Sequence, residues 1–336
     1  MKAKQVMEVL EEKEAMTNPP IGGESDVCRA CGESRECGAC CESPELEPIR
    51  PGKWKGFAVS IVGNGHIRRE MPCQDASGAV VAPRPALIVC DGRGSAKAGL
   101  SQEGSRAAVQ AFRSQLNVLE PMVSDFLDRP ETTDAEWRDL CRVFYRTLVQ
   151  AKLDCSAARG LPENEFDFTA AFAIVGGAHV GFFQVGDGAL VARRGNVYET
   201  VFKPAKGEFA NLTEFVRLGG EETDGFQSIL LPADEVTGVA ATSDGPQYLM
   251  FKLADMTPGP VFPQLFDLLS RGELERDDVV AYLARRQWGE DVRGDDDRSL
   301  AILCAQATTP KEHLPDESDD GGTVPKSQAV RNEENN

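Results

Sequence analysis

Histidine is scarce: the 336 residues hold only His66, His179 and His313. A zinc hydrolase that ligates its metal through several imidazoles is therefore disfavoured. Positive charge is also short. Lys and Arg number 36 against 54 Asp and Glu, for a net charge of −18. Such a surface argues against nucleic acid or an anionic membrane as the main partner, although a local basic pocket stays open. No apolar run approaches the ~18 residues of a membrane span. The opening MKAKQVMEVLEEKEAM is charged throughout, where a signal peptide has an unbroken apolar stretch. A cytoplasmic location is expected. Internal repeats are absent as well.

Three regions separate by composition. Residues 1–50 are polar, acidic, proline-punctuated and rich in cysteine. Residues 51–308 carry nearly all the strand and helix patterns, enough for one large domain. Residues 309–336 are acidic and nearly free of large apolar side chains, so they cannot offset their chain entropy and are expected to be disordered. Of the ten cysteines, Cys28, Cys31, Cys37, Cys40 and Cys41 form one cluster. Cys90 and Cys304 sit within apolar runs and read as buried thiols in a reducing compartment. The paired CxxC units Cys28/Cys31 and Cys37/Cys40 are a zinc pattern, closely spaced for one. The competing reading is a flexible linker with free or redox-active thiols.

Within the middle region, strands are expected at 56–63, 86–90, 168–176, 179–186, 189–193, 236–243 and 298–305. The short Gly-containing link between the third and fourth predicts an antiparallel hairpin. Helices are expected at 99–118, 135–153, 261–270 and 275–287; in the second, Trp137, Leu140, Cys141, Phe144, Leu148 and Ala151 make a helical stripe. Short links between strands and paired helices favour an α+β layered sandwich over a doubly wound parallel sheet.

Aspartate recurs at the strand ends. ALIVCDGRGS ends a strand in Asp91-Gly92, FFQVGDGAL in Asp187, and VTGVAATSDG in Asp244; RGDDDRSLAILCA places Asp295, Asp296 and Asp297 before a strand, and EMPCQDASG puts Asp75 between two. Each Asp-Gly alone is a turn signal. As a set, clustered carboxylates repel unless a cation sits among them. A hard divalent ion is the economical answer, since Mg²⁺ and Mn²⁺ take oxygen ligands, and Gly lets a backbone carbonyl approach.

The ordered set CQDAS, VCDGRGS, FTAAFAIVGG…VGFFQVGDGAL, GEFANLTEFV, ATSDG and DDDRSLAIL, over about residues 55–305, resembles the PPM (PP2C-like) protein phosphatases of the bacterial-type branch. The resemblance implies a four-layer α-β-β-α sandwich of two antiparallel sheets flanked by helices. It also implies hydrolysis of phosphoserine and phosphothreonine in proteins by a water bridging two Mn²⁺ or Mg²⁺ ions, without a phosphoenzyme. Carried over, Asp75 and Asp91 ligate or bridge the metals and the Gly92 carbonyl ligates one. Asp244 and Asp296 are direct ligands, with a one-residue slip toward Asp297 left open. Asp187 matches the position of a weaker third metal. A phosphorylated protein substrate and a partner Ser/Thr kinase are implied as well.

Two positions depart from the family. Gln74 stands where many members have Glu, and Glu70 where many have the Arg that grips phosphate. His66, Arg68, Arg69 and Arg93 are the candidates to replace that Arg, because a guanidinium fork suits phosphate. The departures keep two alternatives open: a catalytically weak or inactive pseudophosphatase that binds phosphoproteins, and a small-molecule phosphate-ester hydrolase. Residues 203–226 are expected to form part of the cleft rim.

Overall fold

Burial on both faces explains why several strands read as unbroken apolar runs. The computed structural model describes residues 54–94, 99–202, 214–223, 225–284 and 295–306. The cysteine pairs Cys28/Cys31 and Cys37/Cys40 and the tail 309–336 lie outside the described residues.

One sheet has the order β2 (Ala76–Val80), β3 (Ala86–Cys90), β4 (Ala170–Val175), β5 (His179–Val185), β8 (Gln227–Pro232). The other has the order β1 (Trp54–Ile61), β12 (Arg298–Ala305), β9 (Val236–Thr242), β6 (Ala189–Arg194), β7 (Val197–Thr200). All their pairings are antiparallel. A small ribbon, β10 (Phe251–Lys252) with β11 (Thr257–Pro258), stands apart from both.

The pleat divides each central strand between two cores. In β3, Ala86, Ile88 and Cys90 join a cluster under helices, whereas Leu87 and Val89 join the cluster between the sheets. In β12, Leu300, Ile302 and Cys304 face the other helical layer, and Ala301 and Leu303 face the first sheet. Four layers result. One outer layer holds α2 (Ser101–Val118), α3 (Glu120–Leu127) and α4 (Asp134–Arg159); the opposite one holds α6 (Val261–Arg271) and α7 (Arg276–Leu283). Two short helices, α1 (Asn64–Arg68) and α5 (Gln247–Met250), lie near the strand ends.

Local chemistry sets the ends of α4. Thr133 caps it in a reciprocal box with Glu136, and Gly160 closes it at φ 65°. The expected stripe is buried, and Trp137 donates from its indole nitrogen to the Phe182 carbonyl at 3.0 Å, tying helix to sheet. Phe172 stacks on Phe183 at 4.4 Å, with Phe112 at 4.8 Å and Phe144 at 5.4 Å.

The expected strands and helices are present with shifts of a few residues, including the 168–186 hairpin, where Ala170 pairs with Val185. The strands β2, β7, β8, β10 and β11 and the helices α1, α3 and α5 were not read from the sequence. Helix α4 also runs on to Arg159, whose guanidinium pairs with Glu103 of α2 at 2.6 Å.

Candidate active site

The aspartates converge because both sheets present strand ends at one edge. Strand β3 ends at Cys90, and the next residues stay tied to the start of β4: Thr169 N donates to the Asp91 carbonyl at 2.8 Å and Arg93 N to the Asp167 carbonyl at 2.9 Å. These two bonds flank the Gly92–Phe168 bridge, so the Gly92 carbonyl is left out of that ladder. A side chain at Gly92 would place its Cβ 2.6 Å from the Gln74 carbonyl oxygen, so only glycine lets the two segments approach.

Asp75, just before β2, is 3% exposed. Its Oδ2 accepts a hydrogen bond from Ser243 Oγ at 2.7 Å, and Ser243 in turn accepts from Ser299 N at 2.9 Å. That chain crosses from one sheet to the other. Asp244 follows Ser243 beyond the end of β9; its neighbour Gly245 would put a Cβ 1.9 Å from the Asp297 carbonyl oxygen. Asp187 sits in the Gly186–Gly188 turn from β5 to β6, and its carbonyl accepts from Gln247 Nε2 at 2.7 Å. Carboxylate oxygens of Asp91, Asp187 and Asp244 lie within 4.8 Å of one another.

Asp296 precedes β12 and lines an open cleft of about 390 Å³ with Asp244, His66, Arg69, Gln247, Tyr248 and Leu253. Arg69 reaches it from just after α1, its Nε donating to the Gly65 carbonyl at 3.0 Å. Arg68 turns outward onto Asp295. Arg93 is not among the cleft-lining residues: its Nη1 is held by Asp167 at 3.0 Å and its guanidinium lies 5.3 Å from the Phe215 ring. Asp167 is shared with the buried Lys152, at 2.6 Å. Glu70 is exposed with φ 55°, and closes the turn after α1, where Glu70 N bonds the Ile67 carbonyl.

Electrostatics mark the cluster as short of positive charge. Burial pushes the Asp75 carboxyl up to about 8, with the Asp297 charge adding and the Ser243 hydrogen bond opposing. Burial, then the charges of Asp75, Asp244 and Asp296, hold Asp91 well above the usual carboxylate range. Asp244 is raised to about 6 by burial and then by Asp187. Asp296 is raised by loss of water and by Asp297. Asp75 Oδ1 and Asp244 Oδ1 are buried without a hydrogen-bond partner. Orphaned carboxylate oxygens facing like charges fit a hard divalent cation, which takes oxygen ligands and relieves the repulsion.

Ser243, Gln247, Tyr248 and Leu253 were not singled out from the sequence. Ser243 had a signal, being the residue before an already suspicious Asp-Gly. Gln247 and Tyr248 reach the cleft through α5, which follows β9, and Leu253 through the turn after β10.

The sequence profile of the family described as Protein phosphatase 2C matches residues 62–285. Serine/threonine-protein phosphatase 3 of Escherichia coli (strain K12) is 26% identical over 260 residues, covering 74% of this chain and 97% of that protein. Among solved structures, a bacterial serine phosphatase with one Arg-to-Lys substitution aligns at TM-score 0.50 and 14% identity, covering 76% of this chain and 99% of its own. The serine/threonine phosphatase of S. agalactiae aligns at TM-score 0.46 and 16% identity, over 75% of this chain and 100% of its own. The chain belongs to the protein phosphatase 2C family, metal-dependent hydrolases that act on phosphoserine and phosphothreonine in proteins.

Proposed function

We propose that this chain removes phosphate from phosphoserine and phosphothreonine in protein substrates, with Asp75, Asp91, the Gly92 carbonyl, Asp244 and Asp296 holding two Mn²⁺ or Mg²⁺ ions. Asp187 is the residue for a weaker third. The observation that carries this reading is the meeting of carboxylates from both sheets, with Asp75 Oδ1 and Asp244 Oδ1 buried and unpartnered, at the edge of an open cleft. Bound there, such ions lower the pKa of a coordinated water and neutralise charge on a phosphoryl group.

The protein's own groups divide the remaining work. Arg69 and His66 line the cleft and bind phosphoryl oxygens. Gln247, Tyr248 and Leu253 line the same cleft and contact the peptide. Gln74 is 2% exposed and its Oε1 has no partner, so it accepts a hydrogen bond from water at the site without adding charge. That fit favours an active enzyme over a pseudophosphatase.

A protein of net charge −18 binds a basic phosphopeptide better than an acidic one at low salt. Among the described residues no helix is long and apolar enough to cross a membrane. The natural setting in this reading is the cytoplasm, opposite a Ser/Thr kinase. The test is phosphate release from a phosphothreonine peptide with Mn²⁺, with EDTA, and with Asp91→Asn. Turnover that needs Mn²⁺ and disappears in Asp91→Asn is expected. No turnover by folded wild-type protein with Mn²⁺ or Mg²⁺ overturns the reading in favour of a phosphoprotein-binding module.

A further inference from the structure

The aspartate beside Asp296 differs from the others of the cluster. Asp297 is 2% exposed and both its carboxylate oxygens are occupied. Oδ1 accepts the Gly63 amide at 2.6 Å. Oδ2 accepts the Gln74 amide at 2.6 Å and lies 2.8 Å from His66 Nδ1. An ionised carboxylate only accepts, so the His66 nitrogen that faces it carries the hydrogen. A carboxylate already taking three donors has little left for a cation, unlike Asp75 and Asp244 with their orphaned oxygens.

One carboxylate thus pins both ends of the segment 63–74. Gly63 precedes α1, and Gln74 precedes Asp75. Between them run the two cleft-wall residues, His66 and Arg69. His66 is itself 2% exposed, yet it lines the cleft with Asp244 and Asp296. With Nδ1 committed to Asp297, Nε2 is the ring nitrogen left for that cleft, and it has no partner among the described residues. A buried carboxylate that fixes an imidazole's tautomer and aim is a recurrent hydrolase device.

We propose that Asp297 is a positioning residue, and that it holds His66 with Nε2 turned to the substrate's phosphoryl group. This rests on the phosphatase reading and adds a donor where exposed Glu70 supplies none. Both ring nitrogens then have a partner, the Asp297 carboxylate at Nδ1 and a phosphoryl oxygen at Nε2. Asp297 itself touches neither metal nor substrate.

The test compares wild type, His66→Gln, Asp297→Asn and the double variant by three titrations: Mn²⁺ alone, inorganic phosphate onto the Mn²⁺-loaded protein, and steady-state kinetics on a phosphothreonine peptide. His66→Gln is expected to weaken phosphate binding about tenfold, as loss of a charge-assisted hydrogen bond does, and to lower kcat/KM while Mn²⁺ affinity holds. Asp297→Asn is expected to do the same, with the double variant no worse than His66→Gln, because the two act as one unit. Unchanged phosphate binding in His66→Gln overturns the inference. So does an Asp297→Asn protein whose defect is Mn²⁺ affinity and is cured by excess Mn²⁺. Should Asp297→Asn fail to fold, His66→Gln decides alone, since it leaves both backbone donors of Asp297 in place. Absent turnover by wild type would sink the phosphatase reading, and the phosphate titration would still decide this one.

Discussion

Replacing Asp75 by Asn should make the metal-free protein more stable while destroying its activity. Asp75 titrates at about 8 in the fold against 3.8 ordinarily, chiefly because it is buried. The folded state therefore holds a proton that the unfolded chain has already released. Stability from this group is complete below about pH 4 and is lost as pH rises toward 8. At about 1.4 kcal/mol per pKa unit, the whole effect is of order 6 kcal/mol, of which about 4 falls between pH 5 and pH 8. For a domain of this size that is a fall in Tm of about 10 °C. The assay is thermal melting in EDTA at pH 5 and pH 8. Asn cannot ionise, yet its carbonyl oxygen can still accept the Ser243 hydrogen bond. Asp75→Asn should therefore melt above wild type at pH 8 and show a shallower pH slope, the remainder coming from Asp91, Asp244 and Asp296, which are also raised. Adding Mn²⁺ should stabilise wild type most at high pH, since metal and proton compete for the carboxylates. A metal-free wild type whose Tm is flat or rises from pH 5 to pH 8, or an Asp75→Asn protein with the same slope, would refute the reasoning.

Three further outcomes are expected. Gly245→Ala forces a Cβ to within 1.9 Å of the Asp297 carbonyl, so the turn carrying Asp244 must move; it should cost about 2 kcal/mol in a denaturant melt and reduce phosphatase turnover by more than about tenfold. Lys152→Met removes one of the two cations on buried Asp167; a loss of about 3 kcal/mol is expected, and an unchanged melting midpoint would show the pair to be dispensable. Zinc in the purified chain should approach one per molecule and vanish in Cys28→Ser or Cys40→Ser if the four thiolates form a site; zinc that is sub-stoichiometric and indifferent to both changes would leave the linker reading.

The sequence was most legible where both faces of a strand are buried. β3 is apolar at every position and β12 from Leu300 onward, so their runs could be read directly. Of the strands that escaped, β2, β7 and β8 lie at the edges of the two large sheets, where half-exposed residues suffice and no unbroken run is required. Helix α3 was masked by Pro121 near its start, a residue that disrupts a helix interior but is tolerated in the first turn. The aspartates could be found as a set because each follows or precedes a strand. What separates Asp296 from Asp297 is which donors surround each carboxylate, and those come from Gly63, His66 and Gln74, over two hundred residues away in sequence. Likewise nothing in DGRGS indicates that Arg93 turns to Asp167, because that partner arrives from the start of β4.

The hydrogen bonds that close the site join distant parts of the chain: Ser243 to Asp75 spans 168 positions and Gln74 to Asp297 spans 223. Contacts of such high contact order form slowly, since the loop-closure entropy must be met before the pairing is rewarded. A half-made sandwich holding only β2 to β5 would own Asp75 and Asp91 but neither Asp244 nor Asp296. Under the proposed two-metal reading, a complete set of ligands would exist only in chains whose first and last strands have met, which would make the ion a checkpoint on completed folding.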